Sequence, residues 1–240
     1  MDMSQGRFRD RADAGRRLGE RLAGTIRPIE GVVIGLARGG VPVAAEVAAV
    51  LALPLDVLTV RKLGVPAQPE LAFGAIATGG YQVLNPDVVA GSRLAPVTID
   101  EVRDEQAMIL ARREHEYRAG MPPLDVAGAP VILVDDGLAT GATMSVAIDA
   151  VRGRGAARIV AAVPVAAPDA CARVAGRADQ MVCLARPDAF YAVGAWYEAF
   201  VEVSDDEVRL ALRDANARVN GRPGHDRAGP ASHRPISAPD

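Results

Sequence analysis

The chain has 240 residues, 50% hydrophobic and 24% charged, with 27 Lys+Arg against 30 Asp+Glu for a formal charge of −3. That is enough apolar material for one sizeable core, and slight acidity without an arginine stripe interleaved with aromatics argues against a nucleic-acid surface. Two cysteines, Cys171 and Cys183, outside any CxxC pattern, and three scattered histidines, His115, His225 and His233, argue against a disulfide framework and a zinc site.

Acids and arginines fill MDMSQGRFRDRADAG, where a signal peptide would need an apolar stretch. The most apolar region, Val41 to Val60, is broken by Glu46, Pro54 and Asp56, so it cannot supply the roughly 20 apolar residues of a membrane span. A cytoplasmic protein with small-molecule partners, and neither nucleic acid nor membrane, is expected.

Leu18, Leu22 and Ile26 recur at helical spacing, which predicts an amphipathic helix over 10–26. GVVIGLA, 31–37, reads as a buried strand, Arg38-Gly39-Gly40 as the turn into a helix ending near Leu53, and LDVLTVR as the next strand. This is the β-α-β order of a doubly wound fold. After Arg61 the stretch KLGVPAQPE reads as a Pro/Gly-rich loop, and FGAIA and YQVLN, flanking Thr78-Gly79-Gly80, as a small antiparallel flap. Thr98 and Glu101 have the spacing of a capping box opening a charged helix to about Arg118, which MPP would stop. VILVDD, ARIVAAVPV and QMVCLA are further strands, with a helix over 142–154 before the second of them. About five strands are expected within one domain, 1–215, whose core lies at about 30–200. From Asn216 onward the chain is polar and rich in Gly, Pro, Arg and Ser, and 216–240 is expected to be a disordered tail.

The most informative stretch is VILVDDGLATGATM, 131–144. Its apolar run suits a parallel strand covered on both faces, and ligands of open α/β sheets sit at the carboxyl ends of such strands. There, Asp135 and Asp136 could accept hydrogen bonds from a vicinal diol. Thr140 to Thr143 offer backbone N–H groups at a helix N-terminus, suited to a phosphate. Diol and phosphate together describe a ribose 5-phosphate. The pattern is not a Walker loop, because no lysine follows Gly141. The alternative is that the acids only cap and turn a βα connection.

This stretch resembles the ribose-phosphate motif of type I phosphoribosyltransferases, and VDDGLATGATM is most similar to the adenine phosphoribosyltransferase version. The resemblance implies that Asp135 and Asp136 hold the 2- and 3-hydroxyls of phosphoribosyl pyrophosphate (PRPP), and that Ala139, Thr140, Gly141, Ala142 and Thr143 hold its 5-phosphate. It also implies a magnesium ion, Mg2+, met by the two acids indirectly through PRPP and water. GLARGGV, 35–41, is in that context similar to the family's pyrophosphate loop, giving Arg38, Gly39 and Gly40 to the leaving group; alone it would pass as a tight turn. Lys62 is the single lysine of the chain, and RKLG resembles the basic segment that contacts pyrophosphate in adenine phosphoribosyltransferase.

PDAFYAVGAWYEAF, 187–200, gathers Phe190, Tyr191, Trp196, Tyr197 and Phe200 in a chain that is only 4% aromatic. It resembles the segment of hypoxanthine-guanine phosphoribosyltransferase whose phenylalanine stacks on the purine, which makes Phe190 a base-stacking candidate; a local core or dimer contact is the other reading. Alanine stands at 139, where several purine enzymes carry an acid; adenine-type enzymes also have alanine there and use a glutamate from another loop, so the resemblance makes Glu70, in the Pro-rich loop, the candidate general base, a solvated loop acid being the other reading. The expectation is a homodimeric phosphoribosyltransferase that transfers phosphoribose from PRPP to a base-like nucleophile with release of pyrophosphate. The alternative is a PRPP- or nucleotide-sensing protein on the same fold.

Overall fold

In the computed structural model, residues 7–26, 30–78 and 81–220 are described. The centre is a five-stranded sheet of β1 (Val32–Leu36), β2 (Leu55–Leu58), β6 (Pro130–Val134), β7 (Arg158–Val165) and β8 (Gln180–Ala185), in the order β2-β1-β6-β7-β8. All neighbouring pairs are parallel. Its register explains why the strands read as unbroken apolar runs. Val33, Ile132 and Val160 form one row across the sheet, and Ile34, Leu133 and Ala161 the next. The first row faces a core built with α1 (Arg11–Thr25), α2 (Gly40–Leu51) and α7 (Asp205–Asn220). The second faces α5 (Ala142–Gly153) and α6 (Pro168–Ala175). Both faces are covered, so neither parity can be polar.

Helix α1 lies close against α2 because Gly15 and Gly19 are on its contact face. A Cβ on Gly15 would come within 2.6 Å of the Val43 carbonyl oxygen, and one on Gly19 within 2.8 Å of the Val50 Cβ. The two helices run in the same direction, so their N-termini meet at the carboxyl end of the sheet. Arg11 is one turn before Gly15 on the same face, which places it at that end.

The second body is a flap of β3 (Val60–Val65), β4 (Gln68–Ala77) and β5 (Tyr81–Leu84), antiparallel in the order β3-β4-β5. With α3 (Pro86–Gly91) and α4 (Pro96–Tyr117) it encloses its own small core of Leu63, Val65, Phe73, Ile76 and Leu110. A buried ion network sits where flap and sheet join. Arg118 donates to Asp56 at 2.7 Å, to Glu114 at 2.8 Å and to the Val57 carbonyl at 2.6 Å. Glu114 also accepts from the Thr59 N–H at 2.6 Å and from the Thr78 hydroxyl.

Three expectations need correction. KLGVPAQPE is mostly strand: only Pro66 and Ala67 lie between β3 and β4, and Pro69 falls where β4 extends beyond β5, so its missing N–H costs no ladder bond on that side. The charged helix starts at Pro96, not behind a Thr98 cap, with Ala95 as N-cap and no side-chain cap. Proline's fixed φ suits the first helical position and wins over the later capping pattern. Finally, α7 runs to Asn220, past the boundary expected at 216. Leu212 and Ala215 are buried, and Asn216 accepts from the Leu55 N–H at 3.2 Å and donates to its carbonyl at 3.0 Å. The Gly79-Gly80 turn and the rest of the expected tail, 221–240, lie outside the described residues.

Candidate functional site

The two motifs singled out in the sequence meet at the carboxyl ends of β1 and β6. Gly39 and Gly40 follow β1 and lie directly against the acids that follow β6. A Cβ on Gly39 would collide with the Asp136 carboxylate, and one on Gly40 would come within 2.7 Å of the Val134 carbonyl oxygen and 2.8 Å of the Asp135 Cα. Glycine is thus required here by close approach. The Ala37–Arg38 peptide preceding the pair is cis.

Each acid is fixed through one oxygen. Asp135 Oδ1 accepts from the Asp136 N–H at 2.9 Å. Asp136 Oδ2 accepts from Arg11 Nε at 2.9 Å, and the Asp136 carbonyl accepts from the Tyr197 hydroxyl at 2.6 Å. Burial pushes the Asp135 carboxyl well above the usual carboxylate range, and the adjacent Asp136 charge pushes the same way. Burial also raises Asp136, while Arg11 opposes it by charge and hydrogen bond. Burial raises the Tyr197 phenol as well.

The loop from Ala139 to Thr143 closes the other side. Leu138 is buried and bridges to Ala166, which anchors the loop, whereas Ala139, Thr140, Ala142 and Thr143 are exposed. Gly141 is the N-cap of α5 in left-handed conformation, φ 74°, and has no side chain with which to cap the helix; the Thr140 hydroxyl instead accepts from the Ala142 N–H at 3.3 Å. The first N–H groups of a helix have no partner within it, so an exposed start lined with small hydroxyl residues is suited to an anion. Arg173 of α6 braces the loop by donating to the Thr140 carbonyl at 3.2 Å.

Arg38 reaches away from the acids to pair with Glu202, and its other terminal nitrogen is 3.9 Å from Asp205. Lys62 lies on β3, not in a loop. It pairs with Ala75, and the alternation puts it, exposed, on the face where Val60 and Ala75 pack toward α5; Arg61 instead turns to Gln106 of α4 at 2.7 Å. Glu70 is exposed near the β3–β4 turn, on strand and not in a loop. Phe190 is half-buried beside a small cluster of Phe8, Val165 and Tyr197. The structure therefore brings Asp135, Asp136, Gly39, Gly40 and the 139–143 loop together, and puts Lys62, Glu70 and Phe190 on other elements, none of them in contact with the acids.

Arg11, Glu202 and Asp205 were missed by sequence reasoning. The only signal for Arg11 was its place in Arg11-x3-Gly15-x3-Gly19, which marks the helix face that packs most tightly.

Fold and site together define an α/β protein that offers a vicinal pair of carboxylates and an open helix N-terminus at one end of a parallel sheet. Residues 9–195 match the phosphoribosyl transferase domain, and the chain belongs to that family. A Mycobacterium tuberculosis protein provisionally named a phosphoribosyl transferase is 52% identical over 209 residues, which is 87% of this chain and 47% of that protein. The chain thus spans about half the length of the curated relatives it matches. The crystal structure of TT1426 from Thermus thermophilus is 44% identical with a TM-score of 0.74, covering 87% of this chain and 98% of that one. A uracil phosphoribosyltransferase of Lacticaseibacillus paracasei is 34% identical over 123 residues, 49% of this chain and 56% of that protein. Among the described residues no helix is long and apolar enough to cross a membrane.

Proposed function

We propose that this chain transfers the 5-phosphoribosyl group of PRPP to a nitrogen of a base-like acceptor and releases pyrophosphate. The observation that carries the reading is the contact of the Gly39-Gly40 turn with the Asp135–Asp136 pair, beside the exposed start of α5. The acids would accept from the ribose hydroxyls, the 139–143 loop would take the 5-phosphate, and Arg38, Gly39 and Gly40 would face the pyrophosphate. Breaking the bond from C1 to oxygen builds positive charge on the ribose and negative charge on the leaving group. Positioning and charge stabilisation are then the main tasks of the protein. Lys62, exposed on the α5-facing side of the flap, would meet pyrophosphate when the flap closes over the substrate. Phe190 is proposed as one wall of the acceptor site and Glu70 as its base.

Among the described residues no cluster of three or more His, Cys, Asp or Glu could hold a metal. The donor set fits an ion held mostly by substrate oxygens and met by Asp135 and Asp136 through water. Mg2+ bound in that way would supply neutralisation of pyrophosphate. A cytoplasmic homodimer acting on small molecules is the setting proposed, on the family resemblance.

Ala139 supports a second reading, a sensor of PRPP without turnover, because it puts no acid in the motif to activate a base. Incubating the protein with labelled PRPP, Mg2+ and a panel of bases that includes uracil and the purines separates the two. Base-dependent pyrophosphate release is expected; tight PRPP binding with no release for any base would favour the sensor.

A further inference from the structure

Arg11 is 125 residues from Asp136 in sequence, yet each is mostly withdrawn from solvent, their side chains 12% and 15% exposed. Three contacts fix the guanidinium. Nε donates to Asp136 Oδ2 at 2.9 Å, Nη1 donates to the Val201 carbonyl at 2.6 Å, and Cζ lies over the Phe200 ring, 3.9 Å from its centre. Phe200 in turn packs on Tyr197 at 5.0 Å between ring centres, and Tyr197 donates to the Asp136 carbonyl. One assembly of α1 and the 197–201 segment therefore holds both the main chain and the side chain of Asp136. A planar fork with a stacking face suits this arrangement, and a lysine could not make all three contacts.

The consequence concerns the oxygens left over. Asp136 Oδ2 is taken by Arg11, and Asp135 Oδ1 by the Asp136 N–H. Gly39 abuts the first of these and Gly40 the second. Asp136 Oδ1 and Asp135 Oδ2 have no hydrogen-bond partner among the described residues.

We propose that Arg11 is a positioning residue that orients the acid pair for a vicinal diol, leaving one acceptor oxygen on each carboxylate for one hydroxyl each. The inference rests on the proposed ribose-phosphate site and adds to it a residue on the N-terminal helix. Arg11 does not touch the ligand; it determines whether both hydroxyls are read.

The experiment measures a ratio. Affinities of the full chain for ribose 5-phosphate and for 2-deoxyribose 5-phosphate are compared, with Mg2+ present, in the wild type, Arg11→Met and Arg11→Gln. Thermal midpoints are recorded beside them. The wild type should prefer ribose 5-phosphate by about tenfold or more, the value of one hydrogen bond to a charged acceptor. In the variants this preference should collapse toward unity while both ligands still bind through the phosphate. A purely structural role would weaken both ligands by the same factor and keep the ratio. An unchanged ratio in a folded variant overturns the inference while the ribose-phosphate reading stands. If the wild type shows no preference, the diol reading itself fails and the inference falls with it. The glutamine variant decides alone should the methionine variant not fold.

Discussion

Replacing Asp135 by asparagine should stabilise the protein and weaken its ligand binding together. The carboxyl is partly buried, one oxygen is satisfied by a main-chain N–H at 2.9 Å, the other has no partner among the described residues, and Asp136 is the next residue. Burial and the neighbouring charge hold its proton on to a higher pH in the folded protein than in the unfolded chain. As pH rises above the ordinary carboxylate range, the unfolded chain releases the proton first. Folding stability is lost through the window up to the raised folded value, and the whole penalty is present above it. Asparagine removes that penalty but not the hydrogen bond to Oδ1. Each unit by which burial raises a carboxyl pKa corresponds to about 1.4 kcal/mol of stability lost above the raised value. A gain of about 1 kcal/mol at pH 8 would raise the midpoint by about 2 to 4 °C in a domain of this size. Loss of a charge-assisted acceptor, worth about 1.5 to 3 kcal/mol, should weaken PRPP binding by roughly ten- to 150-fold, and Asp135→Asn with Asp136→Asn should abolish it. Thermal melts at pH 4 and pH 8 with calorimetric titration of Mg2+-PRPP test both halves. A midpoint that falls at pH 8, or a gain no larger at pH 8 than at pH 4, would refute the electrostatic reasoning. Unchanged PRPP affinity in the double variant would remove the site from this strand.

Lys62→Ala should impair PRPP binding and turnover while ribose 5-phosphate affinity is kept; an equal loss for both ligands in parallel titrations would detach Lys62 from the leaving group. Phe190→Ala should lower the midpoint by only a few degrees, because the ring is half-buried and even full burial is worth about 1.5 to 3 kcal/mol. Kinetics should then show acceptor use lost with PRPP affinity intact, whereas a large fall in midpoint with both ligands affected would make the ring simply core. Arg118→Met should destabilise by about 3 to 5 kcal/mol in denaturant melts, since it strands two buried carboxylates, Asp56 and Glu114; a change under about 1 kcal/mol would show that the network is not a buried charge cluster.

The sheet and its ligand end could be read from the sequence because a strand covered on both faces has no polar parity, so VILV ending in two aspartates announces where burial stops. The 139–143 loop was legible for the same local reason, as glycine and hydroxyl residues between a strand and a helix. Thr98 misled because a proline two residues earlier set the helix start first. The Pro/Gly content of KLGVPAQPE suggested loop, but the prolines sit at a turn and beyond the end of a neighbouring strand, positions that only sheet pairing defines. Arg11, Glu202 and Asp205 were not legible at all. Their partners, Asp136 and Arg38, are more than a hundred residues away, and no local pattern encodes which surface a charged side chain of a helix or loop will meet once the fold closes.

Asn216 carries a consequence for association. Strand β2 is the last strand of the sheet, and its outer edge at Leu55 presents both an N–H and a carbonyl. The Asn216 amide answers both groups with the donor and acceptor spacing of a peptide, so a side chain stands where another strand could otherwise be added. Unguarded edges of this kind recruit strands from other molecules. A chain ended at residue 215, the boundary that composition suggests, would keep every residue of the candidate site and lose this guard. Such a truncated protein should self-associate through β2 in a concentration-dependent way, and Asn216→Leu in the full chain should show the same tendency in milder form.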